Sequence, residues 1–428
     1  MGGEFHLGPS ANPGDVDLTW DYEEAEAYLA SLEPIGWRLG LDRIRRLTSA
    51  LGMPQHRFAS VHVVGTNGKS SVTQMTAALL DAHGVSAGAY LSPHVRQWSE
   101  RIRIRGAEIG NDDLAAAIER TAQSAEAVNR ALDQGDAVTQ FEAITAAAFT
   151  ALAASGVEVG VIEAGLGGRL DATNVIPSRV TALTSVGLEH TEWLGETETE
   201  IAAEKLAVLR DHSTLVVGVV GDDVEELAER FATERGASLV RAEPGPRLTL
   251  RAPGPFQRRN FAVALAAAQA ILGGLDVGVA ERVAAELELP GRLELREGDP
   301  PAVLDAAHNP QGAGALAEAL PEVADGRPVV ACMAMLEKKD AESVIAALAP
   351  AIGYAVATQI PPERLSSAGR PGARTIAAEQ LAKLCRDAGI DAEAVPDPVA
   401  AVERAREVAR EHAGIALFTG SHYLLAYG

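Results

Sequence analysis

The run Gly65-Thr66-Asn67-Gly68-Lys69-Ser70 brings flexible backbone, an amine and a hydroxyl together, the groups needed to hold a polyphosphate. It follows a short apolar stretch at 60–64 and precedes a helical pattern at 70–83, so it reads as the turn between a strand and a helix. Glycines let the backbone wrap close to phosphate oxygens, the first amides of the helix favour negative charge, and Lys69 adds a point cation for the terminal phosphates. Ser70 can then ligate Mg²⁺, and Asn67 and Gly68 complete a candidate ATP-binding loop. A full Walker A pattern needs glycine at position 63, where valine stands, so only its second half is matched. An ordinary Gly-Asn turn is the competing reading. Against it, Lys69 is the only lysine in the first 200 residues and falls where phosphate chemistry requires one.

Three further groups stand at expected strand ends. Glu163 closes a strand at 159–163 and opens a glycine-rich turn that runs to Asn174; Ser92-Pro93-His94 follows a strand at 87–91; Glu189-His190 follows one at 180–185. In an open α/β sheet ligands bind beyond the carboxyl ends of strands, so hydroxyl, carboxylate and imidazole from Ser92, Glu163 and His190 can share a second Mg²⁺ that bridges phosphate and an acceptor carboxylate. Taken alone, His190 fits a structural histidine and Glu163 a surface acid. Lys205 lies on an expected helix, where an exposed lysine paired with acids is the plain alternative.

These groups need rigid elements behind them. Helical spacing at 21–32 and 41–51 precedes the first strand, and strands then alternate with helices at 70–83, 112–129, 141–154, 199–209, 222–235 and 257–272, with a strand pair before the last. After the break at Leu289-Pro290-Gly291-Arg292, strands at 302–305, 329–333, 354–358 and 415–419 alternate with helices at 310–320, 341–348, 375–388 and 398–411. The expected architecture is α/β: a P-loop ATP-binding domain at 17–288 with a mostly parallel sheet, and a smaller Rossmann-like α/β domain at 289–428.

Length supports two cores, and 47% hydrophobic with 22% charged residues is the balance of a folded soluble chain. A formal charge of −22 with no local basic patch disfavours nucleic acid and anionic lipid as partners. No run of about 18 apolar residues and no signal-peptide pattern is present, so a cytoplasmic site is expected. Cys332 and Cys385 read as buried thiols. Only five of the 37 basic residues are lysine, which gives each one weight.

Taken together, the short P-loop, Ser92-Pro93-His94, Phe141-Glu142, the run 163–174, Glu204-Lys205, Gln257 with Asn260, Gly291-Arg292-Leu293-Glu294, Asp305 through Pro310, and Thr419-Gly420-Ser421 resemble the folylpolyglutamate synthase and dihydrofolate synthase branch of the Mur ligases. The resemblance spans roughly 22–427. It implies ATP in a cleft between the domains, with Asn260, Arg292 and Asp305 on the nucleotide and Ser92, Glu163 and His190 on Mg²⁺, K⁺ being a further candidate ion. It implies a carbamylated Lys205, a modification that turns a cation into a metal-binding anion. His308 and Ser421 match positions tied to incoming glutamate or to closure. Trp37, Arg38, Thr139, Phe141, Glu142 and Leu170 fall where dual-function relatives bind the pterin.

This chain departs from the pattern at Glu189, where relatives usually carry aspartate, at Leu206-Ala207-Val208, and at Phe256. The implied reaction adds glutamate to dihydropteroate, to folates or to both through an acyl-phosphate, with Lys69, Lys205 and His308 as catalytic residues and His308 as the candidate base. A monomer acting on small molecules is expected, closing when ATP and folate bind. The rivals are a Mur ligase acting on a UDP-sugar peptide, which needs a larger domain before the P-loop, and a silent ATP-binding paralogue.

Overall fold

In the computed structural model, residues 18–32, 40–243, 248–367 and 372–428 are described. The first sheet contains β1 (Ala59–Val64), β2 (Ala87–Tyr90), β3 (Ile102–Ile104), β4 (Ala107–Glu108), β5 (Val159–Glu163), β6 (Val180–Leu183), β7 (Thr214–Val217) and β8 (Ser238–Arg241). Their spatial order is β4-β3-β2-β5-β1-β6-β7-β8, parallel except for β3 and β4. β1 lies at the centre, with Val63 beside Glu163 on one side and beside Ala182 on the other. Alternation within β1 sends Val61 and Val63 to one face, against Val72, Met75 and Phe261 of the helices Lys69–Ala82 and Pro255–Leu272. Val64 faces the other way, towards Ile201 and Leu206 of the helix Glu198–Leu206. Both faces are thus covered, which is why the central strands are apolar throughout.

The second sheet contains β9 (Arg292–Arg296), β10 (Ala302–Asp305), β11 (Val329–Met333), β12 (Tyr354–Ala357), β13 (Asp391–Ala394) and β14 (Ile415–Thr419), ordered β13-β12-β11-β14-β10-β9. Only β9 runs antiparallel to its neighbour. Helices cover this sheet on both faces as well, with Val303, Ala331 and Leu417 in one core and Leu304, Cys332 and Phe418 in the other. Cys332 and Cys385 are buried free thiols. Among the described residues no helix is long and apolar enough to cross a membrane.

The strands expected at 159–163, 302–305, 329–333 and 415–419 occupy those residues as β5, β10, β11 and β14. The structure adds elements beyond those expected: the hairpin β3–β4, the strand β7, the edges β9 and β13, and the helix Val277–Glu286. Of the strand pair expected between the helices Asp222–Glu234 and Pro255–Leu272, β8 alone is found among the described residues.

Candidate active site

The loop after β1 is shaped by two glycines. Gly65 has φ +155°, and a Cβ there would run into Thr184; Gly68 sits in the left-handed region at φ +83°, where a Cβ would run into Asn260. Only glycine lets the backbone come this close to both neighbours. No side chain caps the helix Lys69–Ala82, so its first amides keep their donors for a ligand. Lys69 folds back over the loop and donates to the carbonyls of Gly65 and Thr66, both at 3.0 Å. Lys205, on the helix Glu198–Leu206, donates to the same Gly65 carbonyl at 3.0 Å. Lys205 is buried, and burial first, then the Lys69 ammonium, bring its pKa down to about 7.

Ser70 is the junction between the sheets. Its hydroxyl donates to Glu163 Oε1 at 3.0 Å and accepts from Arg292 Nη2 of β9 at 3.1 Å. Glu163 is buried at the end of β5, and its other oxygen accepts from the Ser92 amide at 3.1 Å. Burial raises the Glu163 pKa, while Lys69 and Arg292 pull it back. Hard oxygen donors beside two cations fit a divalent metal that also carries phosphate oxygens and water. Among the described residues no three of His, Cys, Asp and Glu are grouped so as to hold a metal ion by themselves. His190 lines the same cleft from a left-handed position at φ +52°, its Nε2 3.9 Å from Glu189. His94 is engaged elsewhere: it accepts from the buried Arg101 at 2.9 Å and packs on Trp98.

The second sheet closes the cleft, whose volume is about 440 Å³. Asn67 exchanges hydrogen bonds with Asn309 at 3.2 and 3.0 Å and donates to Gln311 at 2.8 Å. Asn260 donates to Gln257, which donates to the Arg292 carbonyl, both at 3.0 Å, so one helix joins the phosphate loop to β9. Asp305 lines the cleft, yet its carboxylate is taken by the amides of Leu293 at 2.8 Å and Ala307 at 2.9 Å. Ser421 is buried and accepts from the Tyr423 amide at 3.3 Å.

His308 directs Nδ1 at the Ala306 carbonyl, 2.8 Å away, and Nε2 at Glu189, 3.2 Å away. Each ring nitrogen thus has an acceptor before it, the Ala306 carbonyl and the Glu189 carboxylate, and the two hold the ring in place. Sequence reasoning missed Lys339, which reaches Glu189 at 2.7 Å; the signal available was the scarcity of lysine. Burial works against the ionised Glu189, yet His308 and Lys339 outweigh it and hold the carboxyl below the usual range.

Of the expected pterin residues, the described ones, Thr139, Phe141, Glu142 and Leu170, do not line this cleft. Thr139 and Glu142 form the capping box of the helix Gln140–Ala154, and Glu142 takes Arg43 Nε at 3.0 and 3.1 Å. Phe141 packs its ring beside Gly165, and Leu170 is exposed. Trp37 and Arg38, with Gly36, lie outside the described residues.

Residues 63–244 match the Mur ligase middle domain, and residues 291–422 match the Mur ligase glutamate ligase domain. The chain is 34% identical over 362 residues to the dihydrofolate synthase/folylpolyglutamate synthase of Mycobacterium tuberculosis, covering 74% of each. Its fold matches a solved Mycobacterium tuberculosis folylpolyglutamate synthase complexed with ADP and AMPPCP, with TM-score 0.85, 29% identity, and 95% and 97% of the two chains covered. It also matches the bifunctional folylpolyglutamate synthase/dihydrofolate synthase of Yersinia pestis complexed with AMPPNP and Mn, with TM-score 0.80, 29% identity, and 97% and 98% covered. Two sheets meeting over a phosphate loop, matched over nearly their whole length, place the chain in the folylpolyglutamate synthase/dihydrofolate synthase family of ATP-dependent Mur-type ligases.

Proposed function

We propose that the protein adds L-glutamate to dihydropteroate and to folates at the expense of ATP, through an acyl-phosphate. The observation that carries this reading is the Ser70 hydroxyl, held between Glu163 of the first sheet and Arg292 of the second above a phosphate loop. Nucleotide chemistry and the ligase half thereby meet at one atom. We take the division between the halves to follow residue 288, between β8 and β9.

Lys69 leaves the carbonyls of Gly65 and Thr66 to neutralise the terminal phosphates, and the uncapped amides of its helix hold their oxygens. Asn67, Gly68, Asn260, Arg292 and Asp305 form the rest of the nucleotide site. Ser70, Ser92, Glu163 and His190 would hold Mg²⁺, which supplies charge neutralisation on the transferring phosphoryl group. A carboxylate oxygen of the acceptor attacks the γ-phosphorus in line, the bond to the bridging oxygen breaks, and ADP leaves. The neutral amine of glutamate then attacks the acyl carbon, the carbon–oxygen bond to phosphate breaks, and the departing phosphate takes the proton. Exclusion of water protects the mixed anhydride, and the contact of Asn67 with Asn309 and Gln311 is suited to keeping the halves together.

The relatives' names support glutamate ligation to folate-type acceptors, and coverage of 97% and 98% of the two solved chains disfavours a ligase of UDP-sugar peptides. A cytoplasmic monomer is part of the same reading. The test is incubation of purified protein with ATP, Mg²⁺ and labelled glutamate, with dihydropteroate or a reduced folate as acceptor. Acceptor-dependent phosphate release matched by labelled product is expected for both. Release without label in the product, or no release, defeats the proposal, and the latter favours a silent paralogue.

A further inference from the structure

One turn of the helix Pro255–Leu272 carries four polar side chains that serve two neighbours. Gln257 and Asn260 face the site: Gln257 donates to the Arg292 carbonyl, and Asn260 stands against Gly68 of the phosphate loop. Arg258 and Arg259 instead reach the helix Pro310–Ala324, which covers the second sheet. Arg258 forms a fork on Glu322, with Nη1 3.0 Å from Oε1 and 3.2 Å from Oε2 and with Nη2 3.2 Å from Oε2. Arg259 Nη2 lies 3.3 Å from Glu318, one helical turn earlier. Backbone and side chain meet closely between the two pairs: a Cβ on Gly254 would come within 2.7 Å of the Ala319 Cβ.

The other end of the same helix is at the site. Asn309 caps it and exchanges hydrogen bonds with Asn67, while Gln311 accepts from Asn67 and donates to the Val186 carbonyl at 3.0 Å. Gln311 and Glu322 are separated by roughly 16 Å along the helix axis, at 1.5 Å per residue. A rod held at one end by uncharged side chains can swing about that end; a second support this far away fixes its direction. Pro321 makes the support more necessary, because it brings no N–H to the Ala317 carbonyl and so weakens the helix there. Glu318 and Glu322 stand on either side of that proline, and the two arginines brace the helix across it. A single exposed ion pair contributes little, but a bidentate fork with a second pair one turn away is the arrangement in which such contacts count.

We propose that Arg258 and Glu322 are positioning residues for nucleotide binding: their fork, with Arg259–Glu318 beside it, sets the direction of the helix Pro310–Ala324 so that Asn309 and Gln311 meet the phosphate loop at Asn67. Neither residue acts on the nucleotide itself. The inference rests on a nucleotide held at the phosphate loop and does not need the proposed acceptor chemistry. Arg259 lines the cleft as well, so the Arg258–Glu322 pair is the cleaner one to perturb.

The test uses the full chain, the single reversals Arg258→Glu and Glu322→Arg, and the double variant that carries both. Calorimetry gives the Kd for AMPPCP with Mg²⁺ well below every melting temperature, so that loss of folded protein does not enter, and a thermal melt is recorded beside it. Each reversal sets like charges face to face and is expected to raise the Kd about 3- to 10-fold; the double variant restores an opposite pair and is expected to come back to within about twofold of wild type. Single reversals that melt lower yet bind AMPPCP with the wild-type Kd overturn the proposal and leave a tie that only stabilises the fold. A double variant in which the two losses add overturns it too, since the pairing is then not their cause. If a reversal fails to fold, Arg258→Met and Glu322→Gln take its place with an expected rise of about 2- to 5-fold, and a wild-type Kd in both overturns the proposal. A wild-type chain that binds no AMPPCP removes the nucleotide site and the proposal with it, whereas the ligation reading stands or falls on acceptor-dependent phosphate release.

Discussion

Removing the Ser70 hydroxyl gives the most direct test of how the two sheets are joined. Ser70→Ala deletes one bond to the buried Glu163 carboxylate, at 3.0 Å, and one from the Arg292 guanidinium, at 3.1 Å. Neither partner is orphaned, since Glu163 keeps the Ser92 amide and Arg292 keeps the Gly291 carbonyl. The stability loss should therefore be about 1–3 kcal/mol, near the range for one hydrogen bond to a charged group and short of a stranded buried ion. By the scaling for domains of this size, that is a fall of roughly 2–10 °C in Tm. Catalysis should suffer in a particular way. If the hydroxyl ligates the metal, half-saturation by Mg²⁺ at saturating ATP should rise about 10- to 100-fold, the equivalent of about 1.4–2.7 kcal/mol. Ser70→Thr, which keeps the oxygen, should stay close to wild type. The assay is phosphate release at varied Mg²⁺, beside a thermal melt. A Ser70→Ala protein that melts lower but needs no more Mg²⁺ refutes the metal role and leaves a structural tie.

Glu142 discriminates between a pterin contact and a fold contact. It pairs with Arg43 while both side chains are at least nine-tenths covered, and Arg43 also holds Asp136 at 3.3 Å, so Glu142→Gln should destabilise the chain by about 1.5–3 kcal/mol, and chemical unfolding would show it. A stable variant with only a raised acceptor KM reverses that assignment. For Lys205 the sign of the pH effect follows from its depressed pKa. The amine is mostly neutral above about pH 7, whereas an unfolded lysine stays protonated up to about 10.5, so folding sheds a proton between those values and stability rises with pH across that window. The neutral amine is also the form that reacts with CO₂. A carbamate carbon signal from ¹³C-bicarbonate should accordingly grow as pH rises through about 7 and vanish in Lys205→Met, and a signal that is absent at pH 8 counts against the modification.

The parallel strands were readable because burial on both faces makes each a short, unbroken apolar run, as in β5 and β11. The edges lacked that signature. β4 is Ala-Glu with both residues exposed, and β13 is Asp-Ala-Glu-Ala, compositions that a turn would share. β9 alternates as Arg-Leu-Glu-Leu-Arg, a strand pattern concealed because its first residues also read as a ligand motif. At the site, the residues of the phosphate loop are consecutive in the chain, so their joint purpose is legible from the sequence by itself. Lys339 is not legible in that way: it sits in Glu-Lys-Lys-Asp, which resembles a solvated turn, and its partner Glu189 is 150 residues away. Thr139 and Glu142 show the opposite case: their spacing is that of a capping box, legible from the sequence and formed at the start of the helix Gln140–Ala154.

The amines of Lys69 and Lys205 point at a single oxygen, the Gly65 carbonyl. A neutral dipole is a poor answer to two positive charges, so when Lys205 takes up a proton, below about pH 7, the loop carries a self-repulsion that the fold tolerates. Any anion that draws either amine away relaxes that tension, and so would chemistry that turns Lys205 into an anion. Part of the site's appetite for negative charge is then release of a compressed spring already present in the protein, separate from any contact the ligand itself makes.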